Sequence, residues 1–119
     1  MNFVVLSGRL SSDPTVRDLQ SGSVLVSYEL TTRVDDAAVS VPLVWFDPPK
    51  RPLLGAGDEV RAIGSVRRRF YRAGGSTQSR TEVVVASLAK VGDKRAAVRQ
   101  ARMIADVMGA SGLEGLPSS

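Results

Sequence analysis

Apolar and polar residues alternate most cleanly after Gly22, where Val24, Val26, Tyr28 and Leu30 take one side of an extended chain and Ser23, Ser27, Glu29 and Thr31 the other. A period of two puts one face in a core and the other in water, so this segment is expected to be a strand. The opening stretch from Asn2 to Leu10 is apolar and β-prone and runs into Ser11, Ser12, Asp13 and Pro14, a strand followed by a turn. A short link through Asp35 and Asp36 leads to a third alternation, Val39, Val41, Leu43 and Trp45 against Ser40, Pro42, Val44 and Phe46. Pro42 cannot donate to a ladder and marks an edge or bulged position. Pro48, Pro49, Pro52, Gly55 and Gly57 make the segment before Asp58 a loop with little helix. A fourth strand is expected from Glu59 to about Arg69. The polar, basic stretch Arg72 to Arg80, with Gly74-Gly75 at its tip, reads as a hairpin loop returning to a fifth strand from Thr81 to about Val91. Five short strands punctuated by turns predict an all-β fold, a small five-stranded barrel.

The period changes after Gly92. Asp93 is placed to cap a helix and Gly109 to stop it, with Ala97, Ala101, Ile104, Ala105 and Met108 as its apolar stripe and Arg95, Arg99, Arg102 and Asp106 elsewhere. The last ten residues are rich in Gly and Ser and read as a flexible tail. The expected organisation is a barrel domain over 1–91, a C-terminal helix over 92–109 and a tail over 110–119, with no internal repeat.

Composition narrows the function. A chain of 119 residues suits one domain. No apolar run approaches the roughly 18 to 20 residues that span a bilayer, and no basic leader precedes the apolar opening, so a cytoplasmic protein without membrane contact is expected. Cysteine and histidine are both absent. That removes disulfides, thiol nucleophiles, imidazole bases and the usual zinc sites, so neither an enzyme, a cofactor, a metal nor a small-molecule substrate is expected. Asp35 and Asp36 are adjacent carboxylates, but on a short loop that offers no pocket. The net charge is +4, and of the 16 basic residues only Lys50, Lys90 and Lys94 are lysine. Arginine forks onto phosphates and stacks on flat rings, so the balance favours a polyanionic partner.

Four of the six aromatic residues come as two adjacent pairs, Trp45 with Phe46 and Phe70 with Tyr71. Neighbours in a strand face opposite ways. If Trp45 continues the core face of Val41 and Leu43, Phe46 projects outward. The second pair lies in the run RRRFYR, residues 67–72, where four guanidinium groups surround two rings. Taken alone, a basic run reads as a solvated face and Phe46 as an interface or core residue. Together they fit an unpaired nucleic-acid strand, whose backbone demands positive charge and whose bases offer flat faces. The candidate contacts are Phe46, Phe70 and Tyr71 for bases and Arg9, Arg67, Arg69, Arg72 and Arg80 for phosphates.

On these motifs the chain resembles the bacterial single-stranded-DNA-binding proteins. NFVVLSGRLSSDPTVR is similar to that family's first strand and turn, GSVLVSYELTT to its second strand, GDEVRAIGSVRRRFYR to its fourth strand entering a long hairpin, and RTEVVVASL to its fifth. The resemblance covers about residues 1–91, in order. It implies an OB-fold barrel that forms a homo-oligomer, tetramer or dimer, and holds single-stranded DNA for replication, recombination or repair, with RNA a further candidate ligand. It also implies that Phe46 matches a stacking phenylalanine, that Tyr71 stands where a stacking tryptophan is common, and that Arg67 and Arg69 match basic positions of the same strand. Three departures stand against it. The long basic hairpin after the second strand is reduced to a few residues with two aspartates, and Ser40 replaces another stacking tryptophan. The helix before the fourth strand is short and proline-filled. Leu116, Pro117, Ser118 and Ser119 do not match the acidic, phenylalanine-ended tip, so recruitment of enzymes through such a tip is not expected. These departures keep open a second reading, an OB-fold module that docks on replication or recombination proteins, resembling primosomal accessory proteins, and binds nucleic acid weakly.

Overall fold

A computed structural model describes residues 1–50 and 53–111. Six strands and one helix follow in chain order: β1 (Val4–Leu10), β2 (Thr15–Asp18), β3 (Val24–Val34), β4 (Ala37–Phe46), β5 (Glu59–Ala73), β6 (Ser76–Lys90) and α1 (Lys94–Ser111). The sheet order is β1-β5-β6-β4-β3-β2, and a further β1–β3 pairing at Arg9–Thr31 and Leu10–Leu30 closes five of the strands into a barrel. All contacts in the barrel are antiparallel except β4 with β6, which run parallel at Leu43–Val83 and Val44–Val84. The expected OB-fold-like barrel with a C-terminal helix is what the chain forms. No helix among the described residues is long and apolar enough to cross a membrane.

The alternation in β3 works as expected. Val26, Tyr28 and Leu30 point into the barrel with Leu10, Leu43, Trp45, Val60, Ala62, Val83, Val85 and Leu88, and all are buried. Closing so small a barrel brings backbones together at Gly8 and Gly64, where a Cβ would overlap the carbonyls of Thr31 and Val84. Gly64 also sits at the bulge that shifts the β5–β6 register. Pro42 pairs with Glu29 of β3, and the parallel contact with β6 begins only at Leu43. Before β5, the Asp58 carboxylate accepts from the Gly55 amide at 2.9 Å, and this hydrogen bond, helped by Lys90 at 3.5 Å, holds its pKa below the ordinary carboxylate value.

Four expectations need correction. Thr15–Asp18 forms a strand, pairing with Val24–Ser27, where only a turn was expected. The stretch Arg72 to Arg80 is not a loop: β5 and β6 stay paired up to Ala73 and Ser76, and only Gly74 and Gly75, both at positive φ, turn the chain. The ladder supplies its own hydrogen bonds and needs no apolar face. Helix α1 continues through Gly109 to Ser111, and its docked face is not the expected stripe. Ala96 and Gln100 are buried and Met103, Ile104 and Val107 half-buried, whereas Ala97, Ala101, Ala105 and Met108 are exposed. The polar member of the true face hid it: the Gln100 amide donates to the Arg61 carbonyl at 3.0 Å and the Ser87 hydroxyl at 3.1 Å, tying α1 to β5 and β6. Asp93 caps the helix as expected, accepting from the Ala96 amide at 3.1 Å. Residues 112–119 of the expected tail lie outside the described residues.

Candidate nucleic-acid interface

The outward faces of β2, β3, β4, β5 and β6 enclose an open groove of about 580 Å³. Leu25, Ser27, Val44 and Phe46 lie between a wall at Thr15 and Arg17 and an opposite wall at Arg67, Arg69, Arg80 and Glu82. Register explains the second wall. Counting back from the Gly74-Gly75 turn places Arg67 opposite Glu82, Arg69 opposite Arg80 and Tyr71 opposite Gln78. All six therefore share one face of the β5–β6 ribbon.

Glu82 is 1% exposed and holds two guanidinium groups. Arg67 reaches its Oε2 with Nη2 at 3.0 Å and Nε at 3.2 Å, and Arg69 Nε reaches its Oε1 at 3.1 Å. Thus fixed, each guanidinium lies over a ring: Arg67 is 5.2 Å from the Phe46 centroid and Arg69 is 5.2 Å from that of Tyr71. Phe46 and Tyr71 remain 37% and 39% exposed, so these rings are covered by arginine and open to water rather than to the core. Arg80 donates to Glu29 Oε1 at 2.9 Å, and Ser40, at the position the resemblance gives to a tryptophan, donates to Glu29 Oε2 at 3.1 Å. Four arginines against Asp13, Glu29 and Glu82 leave the groove with one net positive charge.

Of the candidate residues, the structure brings together Phe46, Arg67, Arg69, Tyr71 and Arg80. Phe70 and Arg72 lie on the opposite face of the ribbon, in register with Ser79 and Thr77. Arg9 is remote from the groove, on the β1–β5 side of the barrel, where it donates to Glu59 at 2.6 Å and to the Gly57 carbonyl at 2.7 Å. Trp45 is in the core, as expected. Sequence reasoning missed Glu82, Glu29 and Arg17. The signal for Glu82 was available, because a two-residue turn at Gly74-Gly75 sets the pairing of every residue above it.

Neither a protein-family model nor a curated protein sequence matches this chain.

Proposed function

We propose that this protein binds single-stranded DNA with little sequence preference and does no chemistry on it, serving replication, recombination or repair in the cytoplasm as a homo-oligomer. The observation that carries this reading is the doubled Arg–aromatic pairing on one open face, Arg67 over Phe46 and Arg69 over Tyr71, with both guanidinium groups anchored on the buried Glu82. Every base has a flat face, so a ring that stacks on it binds without reading sequence. A base stacking on Phe46 or Tyr71 displaces the arginine that covers the ring at 5.2 Å, and the displaced guanidinium exchanges its contact with Glu82 for a phosphate. The hydroxyl and apolar floor of Ser27 and Val44 asks for no particular base edge.

A titration of fluorescent oligo-dT at low and moderate salt tests the proposal. Binding should weaken as salt rises, and Phe46→Ala with Tyr71→Ala should weaken it at least about ten-fold, since each lost stack is worth about 1–3 kcal/mol. Failure to bind at low salt, or binding indifferent to both substitutions, refutes it. Oligo-U in the same titration decides between DNA and RNA. The near balance of charge in the groove favours a second reading, a protein-docking module with weak nucleic-acid affinity. In that case the double substitution leaves DNA binding weak and unchanged and abolishes capture of a partner protein.

A further inference from the structure

The run RRRFYR is not one patch but two, since alternation sends Arg67, Arg69 and Tyr71 to the groove side of the ribbon, Tyr71 lying beyond the groove itself, and Arg68, Phe70 and Arg72 to the back. The back repeats the chemistry of the front. The Arg68 guanidinium lies 5.7 Å from the Phe70 centroid and is steadied by the Ser79 hydroxyl, which accepts from its Nη2 at 3.1 Å. Phe70 is 66% exposed, a large ring left in water on the outer half of β5, which covers no core. Thr77, Ser79 and Thr81 stand across from it as a row of hydroxyl groups.

The two faces differ in charge. On the front, Glu82 and Glu29 neutralise part of the arginine charge. From Val66 to Thr81 the sequence contains no acidic residue, so Arg68 and Arg72 have no carboxylate partner on their own face of the ribbon; among the described residues Arg72 donates to the Gly75 carbonyl, at 3.2 Å. An exposed ring between two uncompensated guanidinium groups, beside hydroxyl donors, complements a base and its phosphates.

We infer that the back of the β5–β6 ribbon is a second binding face for single-stranded nucleic acid, so that one chain holds two strand segments at once, one on each side of the ribbon. This rests on the reading of the groove proposed above. The protein would then bridge two strands, or two distant parts of one strand, and the back face would supply the larger share of the salt dependence, because no carboxylate on that face neutralises its two guanidinium groups.

The test is a calorimetric titration of the full chain with oligo-dT of about five nucleotides, near the lower limit of site sizes for such folds. The wild type should saturate at two oligonucleotides per chain. Arg68→Gln with Phe70→Ala and Arg72→Gln should reduce this to one, and the affinity that remains, that of the groove, should depend less steeply on salt than the back-face affinity isolated by the converse substitutions. Phe46→Ala with Tyr71→Ala should also leave one, held on the back. These positions are exposed, and equal thermal melting of all three proteins confirms that they are folded. One oligonucleotide per wild-type chain, unchanged by the back-face substitutions, overturns the inference while the groove reading stands. No binding by the wild type overturns both. If the back-face substitutions instead change the mass measured by light scattering, the face joins copies of this chain and the inference fails.

Discussion

At the scale of single residues, the groove is governed by which arginines are already engaged. Glu82 is buried among its partners and orients them, whereas Glu29 is half-buried, its side chain open to water, and does little more than occupy Arg80 and Ser40. Replacing Glu29 with Gln should therefore have little effect on stability and free one guanidinium for phosphate. Affinity for oligo-dT at low salt should rise several-fold, with the salt slope steeper by about 0.7. Unchanged or weaker binding, in a variant that melts like the wild type, would mean that phosphates do not lie beside Arg80. The same residues show what a linear sequence conceals. Phe46, outside the core, and Trp45, inside it, were legible because an alternation set by Val41 and Leu43 decides which way each must point. Phe70 and Tyr71 were not separable by composition, since both flank arginines and no apolar neighbour fixes a face; only the pairing across Gly74-Gly75 divides them. Arg9 looked like a ligand residue because arginine is common in such sites, yet Glu59 lies fifty positions away in sequence and beside it in space.

At the scale of elements, the strands that the sequence pattern foretold are those whose alternate residues enter the core. Strand β3 announces itself through Val26, Tyr28 and Leu30. Strand β2 buries nothing, all four of its residues being exposed, and its order comes only from pairing with β3. The outer halves of β5 and β6 are of the same kind. Turns matter most where the ladder alone holds a hairpin, and the β3–β4 turn is poorly made for its task. Asp35 and Asp36 sit at φ 49° and 66°, a left-handed conformation that residues with a Cβ adopt at some cost. Asn-Gly is the pair that suits such a turn. Asp35→Asn with Asp36→Gly should stabilise the protein by about 1 kcal/mol, most of it from Asp36→Gly. The contact from Arg33 Nη2 to the Asp36 carbonyl uses backbone and survives the change. Chemical denaturation reads the difference, and a loss of stability would show that the aspartate side chains contribute more than their strain subtracts.

At the scale of the whole molecule, the chain joins a rigid barrel to a ribbon that carries the candidate contacts. The barrel is closed by short contacts of β1 with β3 and of β4 with β6, and Tyr28, Leu10, Leu30, Leu43 and Ile63 are fully buried. At the base of the ribbon, Asn2 clamps Val66, donating to its carbonyl at 2.7 Å and accepting from its amide at 2.9 Å. Beyond that clamp, from Arg68 to Thr81, every residue is exposed and β5 and β6 pair only with each other. Hydrogen bonds without buried apolar cover open locally at little free energy, whereas those of Val26, Leu30, Val60 and Ile63 open only with the whole fold. Amide hydrogen exchange should therefore divide the molecule sharply, with residues 68–81 exchanging orders of magnitude faster than the barrel strands. Saturating oligo-dT should slow exchange in the ribbon and leave the barrel amides near their original rates, because the strand orders what is loose and adds nothing to what is already closed. Protection appearing on the β1–β5 side around Arg9 and Glu59, with the ribbon unchanged, would move the binding surface to the other side of the barrel and remove the ribbon from it.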